Sequence, residues 1–217
     1  MTSTRFVDFS RLEHQGASAV TISQLMIAGN DLGFAREALV HNSPAQTDRQ
    51  AAARRYFLRI QIGHLCEALK SIACIDGDPF LRGVLAASDP VTRQNYETLR
   101  LLTVRDSKEN TEFRRIATAI RDKTTFHYDE APIKAAIKSR ATRAGSRTSS
   151  ITRGDDCRQW FKAGDEIVDT VVCRKLWNAD LKADLREEAG KYETELHTIT
   201  VTFVDFVGAL VWKYFSY

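Results

Sequence analysis

Apolar residues recur along this chain at three- and four-residue steps, the spacing that lines one face of an α-helix. The strongest run spans Asp48 to Ile75, where Phe57, Ile60, His64, Leu65, Leu69 and Ile72 form the stripe and Thr47 or Asp48 stands as N-cap. Asp76-Gly-Asp-Pro79 ends it. Before it, Ala17 to Val40 places Val20, Leu25, Ile27, Leu32, Ala35 and Leu39 in a helix pattern that Gly29 and Gly33 weaken, which allows a kink. His41-Asn-Ser-Pro44 closes that helix, because the residue before a proline is pushed out of the helical region. Ser88-Asp-Pro90 reads as a capped start for Val91 to Arg105, with Tyr96, Leu99 and Leu102 on the apolar face. After a break at Asp106-Ser107, Phe113, Ile116, Ala117 and Ile120 mark another helix.

The second half repeats the pattern less evenly. Asp155 to Trp177 is amphipathic through Trp160, Phe161, Ile167, Val168, Val171, Val172 and Leu176, and Asn178-Ala-Asp180 introduces a closing helix from Leu181 onward. Ile199 to Phe215 is the most apolar stretch, but Asp205 interrupts it and it falls short of the ~20 residues a membrane span needs, so a buried helix is expected. Phe203, Val204, Val207, Leu210, Val211, Tyr214 and Phe215 follow helical steps there, while Phe206 and Trp212 widen the stripe beyond one face. A second subunit would cover the excess, with a bilayer anchor as the lesser alternative.

Composition turns these helices into a fold class. Leu, Ala, Glu, Arg and Lys are plentiful in the 217 residues, and only 11 Gly and 4 Pro are available for turns, which predicts an all-α bundle of five or more helices in one domain, 1–217. A basic Gly/Ser/Thr-rich segment near 139–154 is the expected flexible loop. The net charge of +3 does not by itself establish a nucleic-acid partner. Its distribution says more, because Lys134, Lys138, Arg140, Arg143, Arg147 and Arg153 follow one another with no acid between them. That run reads either as a solvated loop or as an arm that attracts phosphates. Cys66, Cys74, Cys157 and Cys173 form no CxxC pair, which fits buried thiols in a reducing cytoplasm. His64 lies on an apolar stripe with Glu67 three residues on, and reads as a core histidine sooner than as a catalytic or metal-binding one. With no P-loop, dinucleotide fingerprint, nucleophile elbow or zinc spacing, neither metal nor organic cofactor is expected.

The stretch with the most chemistry is Arg121-Asp-Lys-Thr-Thr-Phe-His127-Tyr128. A guanidinium offers a planar donor fork to a phosphate, and an imidazole exchanges protons near neutral pH; together they suit RNA cleavage without a metal. On a regular helix His127 would continue the stripe of Phe113, Ile116 and Ile120, and Arg121 would point roughly 120° away. The two groups converge only if Arg121 curls across, the backbone loosens near Thr124 and Thr125, or a partner chain closes the gap. Read without further context, His127 is a core or interface histidine and Arg121 a charge paired with Glu112 or Asp129.

An Arg, a polar residue, a short spacer and a His followed by an aromatic resembles the signature of the HEPN superfamily, with Asp122 as the polar residue and Phe126 and Tyr128 as the flanking aromatics. Ala51 to Ile75 resembles the long family helix ahead of the motif, and Thr111 to Ile120 the start of the motif helix. The resemblance implies a helical bundle acting as a metal-independent endoribonuclease, with a toxin or defence type as an option. It implies His127 for proton transfer, Arg121 for the phosphate, and Asp122, Lys123 and Tyr128 on the substrate side. It implies RNA as partner, a homodimer with a composite cleft, and an antitoxin or other protein partner as an option. The competing expectation is a non-catalytic helical module that binds RNA, a nucleotide or a protein through the same cleft. A membrane-associated protein held by its last helix comes third.

Overall fold

The computed structural model describes residues 4, 6–41, 47–121, 130–142, 147–153, 160–175 and 185–217. Every regular element among them is a helix: α1 (Phe9–Glu13), α2 (Gly16–His41), α3 (Asp48–Ile75), α4 (Pro79–Ala86), α5 (Pro90–Leu101), α6 (Lys108–Ile120), α7 (Glu130–Thr142), α8 (Lys162–Lys175) and α9 (Leu185–Tyr214). The all-α expectation therefore holds for the described residues.

The caps explain where the helices begin. Thr47 and Gln50 exchange side-chain and backbone hydrogen bonds in a capping box that opens α3. Asp78 accepts from the Phe80 and Leu81 amides, Asp89 from Thr92 and Ser107 from Asn110, and in the first two cases a proline in the first turn needs no amide partner. Asp78 also accepts the Ser18 hydroxyl at 2.6 Å, so one carboxylate caps α4 and ties it to α2. α1, α4 and α7 are additions to the expected elements. α5 ends at Leu101, earlier than the expected Arg105, and the chain turns through Asp106, whose φ of 69° is left-handed.

The core forms where α2, α3, α5 and α9 meet. Leu25, Leu32, Leu65, Ile72, Leu99, Phe203, Phe206 and Leu210 are fully buried in it. α2 runs unbroken through Gly29 and Gly33. Gly29 earns its place by proximity, because a β-carbon there would stand 3.4 Å from Val207 Cγ1. Val20 and Ile27, expected on the buried stripe, are more than half exposed, since Ile22, Leu25 and Leu32 already fill the face toward α3 and α9.

α3 is flanked by two helices that run parallel to it. Arg54 pairs with Glu193 of α9, and seven residues further along both helices Gln61 donates to Thr200 at 2.8 Å. On the other flank Asp48 pairs with Lys162 of α8, and again seven residues on Arg55 meets Asp169 at 2.8 Å. The α9 flank carries a buried hydrogen bond within an apolar core, whereas the α8 flank is largely ionic. In α8 only Val171 is buried among the described side chains. Burial pushes the Asp169 carboxyl up to about 6 although Arg55 and Arg59 pull it the other way.

That shift predicts a pH dependence. A carboxyl with a raised folded pKa is bound more tightly to its proton in the folded chain, so stability falls as pH rises from about 3.8 to about 6. Asp169→Asn is expected to flatten this part of the melting-temperature profile and to melt no lower than wild type at neutral pH. A marked drop for Asp169→Asn at neutral pH would show that the Arg55 ion pair outweighs the burial cost.

Two further expectations change. The basic segment near 139–154 does not begin as a loop: Ser139 is buried, and Arg140, inside α7, meets Glu166 of α8 at 2.6 Å. An acid on the facing helix thus turns a residue read as solvated into a packed one. The helix expected from Asp155 begins at Lys162 instead, because Trp160 pairs its backbone with Thr152 in an isolated antiparallel bridge and its indole Nε1 donates to Asp165 at 2.8 Å. Arg147 and Arg153 are exposed outside helices, so limited trypsin digestion should cut there first and reach Arg59, within α3, only later. Early cleavage at Arg59 would contradict the fold.

Phe206 is wholly buried and Trp212 is 39% exposed, and α9 packs on α2, α3, α4 and α5. The breadth of the C-terminal stripe is therefore largely met inside one chain, and it no longer argues for a second subunit. By length and composition the segment Glu193–Tyr214, with mean hydropathy 1.3, is long enough to cross a bilayer, contrary to the shorter span read from the sequence.

Candidate functional site

Arg121 is the residue of the octet that the structure describes. Asp122, Lys123, His127 and Tyr128 lie outside the described residues, as does the convergence of His127 on Arg121. Arg121 caps the C-terminus of α6 with helical torsions, φ −55° and ψ −53°, and its amide still donates to Ala117 and Thr118. Ala117 and Ile120 of α6 are buried in the core, while the Arg121 side chain at the end of the helix stays 34% exposed.

Its ion-pair partner comes from α3. Arg121 Nη2 lies 2.6 Å from Glu67 Oε1, a contact local spacing does not signal, while Asp129 and the Glu112 side chain, the partners read from that spacing, lie outside the described residues. Lys70 holds the other oxygen, Oε2, at 2.5 Å. The Lys70 hydrogen bond and the Arg121 charge together keep the Glu67 carboxyl below its usual range. One carboxylate thus faces two cations here. A guanidinium has five donors in a fixed fork, and the bond to Glu67 orients it.

His64, one helical turn before Glu67, is not a core residue. Its Nδ1 lies 3.4 Å from Asp31 Oδ2 of α2 and its side chain is 35% exposed. The sequence placed it on an apolar stripe beside Glu67, but the neighbouring helix supplies a carboxylate at that point and draws the ring outward. The pairing across α2 and α3 is a contact between distant residues, and no local spacing signals it.

Cys74 is exposed and its thiol donates to the Lys70 carbonyl, and Cys66 is half-buried, so the expectation of buried thiols fails for Cys74. The Cys157 thiol lies outside the described residues. Among the described residues no group of three or more His, Cys, Asp or Glu side chains is placed to hold a metal ion.

No family model matches the chain, and comparison with curated proteins and with solved structures found no significant match. The HEPN resemblance accordingly rests on the octet and on the helices that precede it.

Proposed function

We propose that the protein is a HEPN-like, metal-independent endoribonuclease in which Arg121 binds the scissile phosphate and His127 transfers protons. The observation that carries this reading is the placement of Arg121 at the surface end of α6, braced by Glu67 and next to a second cation, Lys70. An oriented guanidinium beside a second cation suits an anionic substrate. Asp122, Lys123 and Tyr128 are assigned to the substrate side of the same site. RNA is the partner in this reading, the location is cytoplasmic, and α9 serves as a core helix with no role in a membrane. Incubation of the purified protein with RNA in excess chelator tests the activity, with a cyclic phosphate or 3′-phosphate end as the expected product.

A homodimer with a cleft shared between subunits belongs to this proposal, with an antitoxin or other protein as a further partner. Light scattering at micromolar concentration is expected to give twice the chain mass, and a monomer removes the composite cleft.

One observation favours a non-catalytic module instead. Arg121 already has a carboxylate partner, and an ion pair between α6 and α3 is also what a structural brace requires. A protein that binds RNA, a nucleotide or a protein without cleaving anything, and whose Arg121→Ala variant loses binding alone, would establish that reading.

A further inference from the structure

α3 carries a second ionisable pair beside the Arg121–Glu67 contact. His64 faces Asp31 of α2 at 3.4 Å, and the two side chains are 35% and 42% exposed. Glu67, three residues on, holds Arg121 of α6 at 2.6 Å. Side chains three apart on a helix are surface neighbours, with β-carbons about 5–6 Å apart. α2 and α6 both pack on α3, so one helix turn presents an imidazole drawn toward the first and a guanidinium reaching from the second. We propose that His64 is a proton-transferring catalytic residue of the Arg121 site, with Asp31 as its positioning residue, acting on a phosphodiester of RNA. The inference rests on the ribonuclease reading.

The chemistry asks for such a group. As the 2′-oxygen bonds to phosphorus its hydroxyl proton must leave, and as the bond from phosphorus to the 5′-oxygen breaks that oxygen must gain a proton. The products are a 2′,3′-cyclic phosphate and a 5′-hydroxyl, with no oxidant or co-reactant. In-line displacement sets the entering and leaving oxygens on opposite sides of phosphorus, so separate groups handle the two protons. A carboxylate at Nδ1 fixes the ring and leaves Nε2 for the substrate. The 3.4 Å separation is longer than a good hydrogen bond, as is common before substrate closes such a site. A polar contact this exposed adds little stability, so substitution should leave the fold standing.

The test is RNA cleavage by the full chain in chelator across a range of pH, alongside binding of a 2′-O-methyl RNA of the same sequence. His64→Gln is expected to lower the rate by roughly 10²-fold or more and to remove one limb of the pH profile, while the 2′-O-methyl RNA binds as it does to wild type. Asp31→Asn is expected to lower the rate less and to displace the same limb, and Asp31→Glu to recover part of the loss. If wild type cleaves, His127→Ala does not, and His64→Gln matches wild type in rate and in both limbs, the inference falls and the ribonuclease reading stands. If wild type leaves RNA intact, both fall. Should His64→Gln melt well below wild type, Asp31→Asn decides, because it keeps the imidazole: an unmoved limb overturns the proposal.

Discussion

His127→Ala and Arg121→Ala are each expected to abolish RNA cleavage in the presence of chelator without unfolding the protein. Loss of a positioned proton-transfer group costs roughly 10²–10⁴ in rate, and loss of a phosphate-binding guanidinium weakens both binding and charge stabilisation as phosphorus is attacked. The structure says why Arg121→Ala should remain folded. The pair it breaks is about a third exposed on the arginine side and half exposed on the glutamate side, and Glu67 keeps Lys70. Such a pair contributes on the order of 0–1 kcal/mol. Unchanged turnover by His127→Ala would eliminate the mechanism. If His127→Ala instead melts the protein, that histidine is a packed residue and the interaction module becomes the better account.

Helices were most legible in the sequence where local chemistry sets their ends and the apolar pattern is long. Thr47 with Gln50, Asp89 with Thr92 and Ser107 with Asn110 are contacts between near neighbours, and all three caps form. α4 was missed although Asp78-Pro79 carries the same signal as Asp89-Pro90, because its eight residues leave too short an apolar pattern to stand out. The face a residue presents proved harder to read. Val20 and Ile27 fit the helical stripe yet lie exposed, and Arg140 looked solvated yet packs on Glu166, since both outcomes depend on which helix arrives from elsewhere in the chain. The same limit hid the partners of the candidate site. Glu67 could be read as a neighbour of His64, but Asp31 reaches His64 from 33 residues away and Arg121 reaches Glu67 from 54.

The largest expected effect on stability lies in α9, and it bears on what that helix is for. Phe206 is fully buried, with its ring centroid 5.7 Å from that of Tyr96 at an angle of 37°, and Phe203 is equally enclosed one turn earlier. Truncating such a side chain removes its transfer energy and leaves a cavity that neighbours fill only in part, so Phe206→Ala should cost about 3–5 kcal/mol. A domain of this size has only about 5–15 kcal/mol in total, so the urea midpoint should fall steeply with little change in slope. Trp212→Ala, at a side chain 39% exposed on the same helix, should cost far less. The contrast separates three roles for an apolar helix of this length. A core helix makes Phe206 the sensitive position at every protein concentration. A subunit interface would make the loss depend on concentration, because dilution separates the partners. A membrane anchor packed loosely on the rest of the chain would leave the urea midpoint unmoved by Phe206→Ala, and the α9 packing described above would then be wrong.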